Sequence, residues 1–260
     1  LSKNYIIHGD KPLNIMTLHG GPGALGELRK LSIKISEHKG VIEYLQTGDS
    51  ITLLLSDMNK IIADQTDQAI SLIGYSWGAW LAMIYAALYP EKVAKIIIIS
   101  SAPFRKEDDR LIRKTRLARM TPEKQKLFIS GSKELKSKKK IEDIKLKEHI
   151  KLIKKVDSYE LIADYDEVVE FRYDLYKKIW AEASLMRKNN KLISYLKEVQ
   201  CPIKVIHGDY DPHPCRKIIE PLEKYDKDYQ LYLLKDCGHK PWIEKKAYNE
   251  FFCILFKLIS

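Results

Sequence analysis

The chain has 260 residues, 45% of them hydrophobic and 31% charged, with a formal net charge of +10 at pH 7. That length suits one large domain or one domain carrying an insertion, and the balance of apolar and charged residues excludes a disordered chain. No stretch approaches the roughly eighteen apolar residues of a membrane span, and the longest run, "IIIIS" at Ile96 to Ser100, has the length of a strand.

The first ten residues, "LSKNYIIHGD", contain no apolar signal core and no small-residue cleavage site, so a cytoplasmic protein is expected. Strand-like and helix-like segments then alternate. "LNIMTL" is followed by a helical segment from Ala24 to His38, "VIEYL" by one from Ser56 to Gln68, and "AISLIG" by one from Trp77 to Tyr89, before "VAKIIIIS". Their continuous rather than alternating hydrophobicity marks strands buried on both faces, the habit of a doubly wound, mostly parallel α/β sheet.

The rhythm breaks at Phe104. Roughly a hundred charged, helix-like residues run to Val199 without a convincing strand, where an ordinary connection takes about two to six. The pattern predicts a helical cap, residues 104–199, inserted between core segments 1–103 and 200–260. Within it, Lys133 to Lys155 carries ten lysines against four acids, and Asp157 to Asp174 carries seven acids against one arginine. Neighbouring runs of opposite sign are expected to pair with each other, which argues against nucleic acid or a membrane surface as the partner of the positive charge. The strands "IKVIHG" and "YQLYLL" follow. Cys201, Cys215, Cys237 and Cys253 form no C-x-x-C pair and no metal-ligand spacing, so reduced thiols, no metal and no cofactor are expected.

"LIGYSWGA" places Ser76 on a sharp turn from strand to helix, with Gly74 and Gly78 clearing space on either side. A serine hydroxyl needs a base, and the base needs a group to orient it. Asp211, in "DYDPHP", and His239, in "KDCGHKPWIE", stand after later strands, so Ser76, Asp211 and His239 fall at three strand ends in the order Ser, Asp, His. Asp209 is a rival for the acid. Asp211 could also cap the helix that Pro214 opens, and His207 and His213 read as structural. The N–H of Trp77, at the start of the next helix, is placed to hold an oxyanion. A second donor is expected from Gly21 in "LHGGPG", which lacks the lysine and hydroxyl residue of a phosphate-binding loop.

"HGGPG", "GYSWG", "GDYD" and "CGH" together resemble the α/β-hydrolases of the proline-iminopeptidase-like group, over residues 12–103 and 200–260. The resemblance implies an acyl-enzyme route with Ser76 as nucleophile, His239 as general base and then acid, Asp211 in preference to Asp209 as its orienter, and Gly21 and Trp77 as the oxyanion hole. Two features depart from the group: "YLQTGDS" replaces an arginine-containing D-x-R-G turn, and there is almost no N-terminal hairpin before Asn14. The expected activity is a serine hydrolase cleaving an ester or amide in a small molecule or short peptide, with an aminopeptidase of the proline-iminopeptidase type ahead of a small-molecule carboxylesterase. A non-catalytic ligand-binding protein is the third reading. If the substrate carries a free amine, Glu160, Asp164, Glu167, Glu170 and Glu182 are the cap carboxylates that could receive it.

Overall fold

A computed structural model describes residues 4–136, 143–163 and 170–260. Strands β1 (Tyr5–His8), β2 (Leu13–Leu18), β4 (Gly40–Tyr44), β5 (Ile70–Tyr75), β6 (Val93–Ile99), β8 (Ile203–Gly208) and β9 (Tyr229–Leu234) form one sheet in the order β1-β4-β2-β5-β6-β8-β9. Only β1 runs antiparallel, against β4; every other pair is parallel. A second, two-stranded pairing joins β3 (Ala24–Leu25) to β7 (Glu170–Phe171).

Each central strand feeds two cores in alternation. Met16, Leu18, Leu72, Ile96, Ile98 and Val205 face the layer of α2 (Ile51–Gln65), α3 (Trp77–Leu88), α8 (Lys191–Glu198) and α9 (Arg216–Lys224). Ile15, Ile73, Ile97, Ile99 and Ile206 face α1 (Arg29–Ser36) and α10 (Tyr248–Ile259). Unbroken apolar strands follow directly from this double burial. Helix α3 lies deepest: every residue from Trp77 to Ala86 is buried, as expected of a helix that is apolar on all sides.

Two helices begin elsewhere than the sequence pattern predicts. Helix α1 starts at Arg29 rather than Ala24, because Gly23 and Gly26 take positive φ values of 82° and 81° and Ala24–Leu25 pair with β7. Helix α2 starts at Ile51 rather than Ser56, where the Ser50 hydroxyl accepts from Leu53 N at 3.2 Å and supplies an N-cap. The short half-buried β1, unforeseen, adds an edge to the sheet. The acid in the middle of β4, Glu43, is buried but accepts from Arg29 Nε at 2.5 Å and contacts His8 Nε2 at 2.7 Å.

Between β6 and β8 stand α4 (Asp109–Ala118), α5 (Pro122–Lys136), α6 (Asp143–Val156), β7, α7 (Tyr173–Lys188) and α8. Buried Arg187 of α7 ties the late part of this insertion to its beginning, donating to Asp109 Oδ1 at 2.6 Å and Arg105 O at 2.7 Å, and its guanidinium lies 4.8 Å from the ring centre of core residue Trp80. Asp157 pairs with Arg116, Glu160 with Lys245 and Asp174 with Arg172, all of them cations outside the lysine run. The four cysteines are free, and among the described residues no helix is long and apolar enough to cross a membrane.

Leu72, wholly buried in β5, tests the weight of this core. Leu72→Ala is expected to lower unfolding free energy by about 2–5 kcal/mol, read as a shift of the urea midpoint.

Candidate active site

The sheet brings four strand ends to one edge. The loops after β2 and β5, which are neighbours in the sheet, carry Gly21 and Ser76; those after β8 and β9 carry Asp211 and His239. Chain direction across the sheet reverses at β2 and β5, the kind of crevice where α/β sheets hold their ligands.

Ser76 has φ 51° and ψ −111°, a strained conformation for a residue with a side chain. It persists because strand and helix touch backbone to backbone. A Cβ on Gly74 would lie 2.4 Å from Gly78 O, and one on Gly78 would lie 2.0 Å from Leu18 O. Those contacts aim the serine hydroxyl outward. His239 Nε2 lies 3.2 Å from Ser76 Oγ, and His239 Nδ1 lies 2.8 Å from Asp211 Oδ2. Since the carboxylate can only accept, Nδ1 carries the proton and Nε2 presents its lone pair to the serine. Asp209, the rival acid, instead accepts from Cys237 N at 3.3 Å.

Asp211 is surrounded by imidazoles. Its Oδ1 accepts from His213 N at 2.9 Å and His213 Nδ1 at 2.7 Å, and His207 Nε2 stands 3.6 Å from Oδ2. The His213 ring stacks on that of His239 with centres 4.1 Å apart, so the residue read from sequence as structural touches both partners of the serine. Burial alone would raise the Asp211 carboxyl; His239, His213 and His207 outweigh it and hold the group well below its usual range. Burial, and then the charge of His239, push His213 down to about 4. The ligand atoms of Asp211, His213 and His239 lie within 4.8 Å of one another, the place where the described residues could gather around a metal ion, and they are already hydrogen-bonded within the cluster.

On the other side of Ser76, the Trp77 N–H opens α3 and so has no acceptor inside the helix. Gly21 takes φ 27°, and its carbonyl accepts from Ala24 N at 2.9 Å. The departing segment "YLQTGDS" proves structural here. Gln46, at φ 50°, donates to His19 O at 2.9 Å and accepts from Trp77 Nε1 at 2.9 Å, tying the Gly21 loop to the helix that follows Ser76. Nothing in the sequence singled it out.

The insertion reaches this edge at several places, among them Arg119 Nη2, which donates to Tyr210 O at 2.8 Å. Arg172 N donates to Gly23 O at 2.8 Å, and His239 N donates to Asp157 O at 2.9 Å. Charges of both signs stand nearby. Arg116, largely buried, donates to Asp157 Oδ1 at 2.8 Å and lies close enough to Asp211 to feel its charge. A cavity of about 120 Å3 against Tyr210 is lined by Arg119, Lys124 and Lys155. Of the acids expected to meet an amine, Glu160 pairs with Lys245 at 2.9 Å, Glu182 accepts from Ile51 N at 3.0 Å at the start of α2, and Glu170 is exposed on β7. Asp164 and Glu167 lie outside the described residues.

Fold and strand-end geometry together define a hydrolytic enzyme of the α/β type. Residues 15–246 match the family of the alpha/beta hydrolase fold, and the chain belongs to it. The chain is 25% identical over 213 residues, 78% of its own length and 74% of the relative's, to the pimeloyl-[acyl-carrier protein] methyl ester esterase of Wigglesworthia glossinidia brevipalpis. Its fold is similar to that of a proline iminopeptidase from Mycobacterium smegmatis, with TM-score 0.68 and 16% identity, covering 98% of this chain and 93% of that one. A carboxylesterase structure from Nitrososphaera gargenis gives TM-score 0.63 and 19% identity, covering 98% and 93%.

Neutral buried His213 generates a stability prediction. Its folded value of about 4 lies below the unfolded 6.5, so the native state binds fewer protons between them; its contribution is complete above pH 6.5 and is lost as pH falls towards 4. Buried His149 and His207, also shifted down, act in the same sense. Urea unfolding of the wild type should lose roughly 2 kcal/mol from this residue between pH 7.5 and 5, and His213→Gln should show a shallower pH slope.

Proposed function

We propose that the chain is a carboxylesterase that works by acyl transfer through Ser76. As Oγ attacks the acyl carbon, His239 Nε2 takes its proton, and Asp211 holds the imidazole in the right tautomer and stabilises the imidazolium that forms. The carbonyl oxygen becomes an oxyanion between the N–H groups of Gly21 and Trp77. Collapse of the tetrahedral intermediate expels the alkoxide, which takes the proton from His239 and leaves an acyl-serine. Water, activated by the same nitrogen, then releases the acid.

The observation that carries this reading is the Ser76–His239–Asp211 chain of contacts at 3.2 and 2.8 Å. Ester is preferred over free-amine peptide because Glu160 and Glu182 are engaged by partners of their own. The relative from Wigglesworthia, whose name is that of an ester hydrolase, supports the same choice.

A panel of p-nitrophenyl esters and aminoacyl-amides tests it. Esters should be turned over faster, fluorophosphonate should label the wild type, and Ser76→Ala should lose at least about 1,000-fold in kcat with the fold intact. Retention of more than roughly a tenth of the activity would remove Ser76 from the chemistry. Glu160→Gln, Asp164→Asn, Glu167→Gln, Glu170→Gln and Glu182→Gln should each treat an aminoacyl-amide and its N-acetylated counterpart alike. A selective loss for the free amine in any one of them would put the aminopeptidase reading ahead.

A further inference from the structure

Five residues beyond His239, Glu244 is completely buried, and its carboxylate accepts backbone N–H groups from two separate segments. Oε1 accepts from Gly238 N at 3.1 Å and Tyr159 N at 3.0 Å; Oε2 accepts from Glu160 N at 2.9 Å and Tyr159 N at 3.2 Å. Gly238 immediately precedes His239, and Tyr159 and Glu160 belong to the insertion. The two segments also meet directly, through His239 N to Asp157 O at 2.9 Å, Ile162 N to Ile243 O at 2.9 Å and Lys245 N to Glu160 O at 2.8 Å. They are packed without slack: a Cβ on Gly238 would lie 2.1 Å from Asp157 O and 2.4 Å from Glu244 Oε1.

A buried carboxylate is a costly choice for joining two backbone segments. Burial raises its pKa, and the N–H groups of Glu160, Tyr159 and Gly238 work against that rise. What it offers is two oxygens with about four acceptor directions, enough to take N–H groups from both sides at once. The histidine next to this junction has to stand within a few tenths of an ångström of its working position, since a displacement of about 1 Å costs on the order of 100-fold in rate.

We propose that Glu244 is a positioning residue for His239, holding the imidazole at Ser76 Oγ by fastening the loop that carries it to residues 157–162 of the insertion. This rests on the Ser76–His239 reading given above. The carboxylate touches no reacting atom; it acts through Gly238 and the backbone of His239. The cap thereby sets the alignment of the base as well as enclosing substrate.

The measurement is the rate constant for fluorophosphonate labelling, per folded molecule and well below the melting temperature, together with kcat and KM on a p-nitrophenyl ester. Glu244→Gln keeps the shape but turns one acceptor into a donor facing an N–H; Glu244→Asp keeps both oxygens but shortens the reach. Glu244→Gln should lower the labelling rate and kcat by about 10- to 100-fold while KM changes less than about threefold, and Glu244→Asp should fall between it and the wild type. Lys245→Ala, which removes only the surface pair with Glu160, should stay within about twofold of the wild type. Wild-type labelling rates in folded Glu244→Gln and Glu244→Asp, even with lowered melting temperatures, would reduce Glu244 to a structural role and overturn the proposal. If Glu244→Gln does not fold, Glu244→Asp decides by the same criterion. Ser76→Ala separates this from failure of the underlying reading: labelling of that variant at the wild-type rate would overturn the serine assignment itself.

Discussion

The architecture depends on one close approach, that of the first turn of α3 to the ends of β2 and β5. Only a glycine at position 78 lets the helix backbone come so near Leu18 O, and only a glycine at 74 lets the strand end beneath it. Once those backbones meet, Ser76 has nowhere to go but the left-handed region, and the strain of roughly 1–3 kcal/mol is borne by the buried layers around it. Both cores contribute to that support, Leu72 packing into one and Tyr75 into the other. The exposed hydroxyl is a by-product of packing that would otherwise be unremarkable for a parallel sheet.

In this fold, buried charge is handled by pairing rather than by exclusion. Asp211 spends both oxygens on imidazoles, Glu43 meets Arg29 and His8, Arg187 meets Asp109 and a carbonyl, and Glu244 meets three amide groups. Each would be expensive alone in a buried setting and is tolerable once paired, although Glu43 Oε1 and Arg187 Nε make no hydrogen bond among the described residues. The same rule separates the two sides of the serine. One side is rigid because its polar atoms are committed to each other. The other side leaves the Trp77 N–H at a helix start, where negative charge is favoured.

Much of this was legible in the sequence, and the rest was hidden for identifiable reasons. The central strands declared themselves because burial on both faces leaves an unbroken apolar run, as in Ile96–Ile99. Ser76 and Asp211 could be found because each follows such a strand, and His239 because the edge strand before it, β9, is apolar although largely exposed. β1 was missed because an edge strand of four half-exposed residues carries little pattern, and the start of α2 because "GDS" reads equally as loop and as cap. The joints between insertion and core were invisible for a deeper reason. A two-residue pairing such as Ala24–Leu25 with Glu170–Phe171, or a carboxylate accepting main-chain amides, imposes no periodicity on the residues it joins. The insertion's acids illustrate the converse. Glu182 stands in a charged stretch like its neighbours, yet it is the one that caps α2 from a distance of 131 positions along the chain.

The manner in which the insertion leaves and re-enters the sheet has an evolutionary consequence. It departs from the C-terminal end of β6 and returns at the start of β8, a parallel neighbour, so its two ends lie at opposite edges of the sheet and α8 has to run back between them. It is not an exchangeable cassette: Arg172 holds the Gly23 loop, and residues 157–162 lie paired along the histidine loop. A graft taken only by its ends would leave the loops at Gly23 and His239 without these backbone partners. An exchange of helices between the two seams keeps those hydrogen bonds, whereas one that cuts across a seam removes them even when every helix folds.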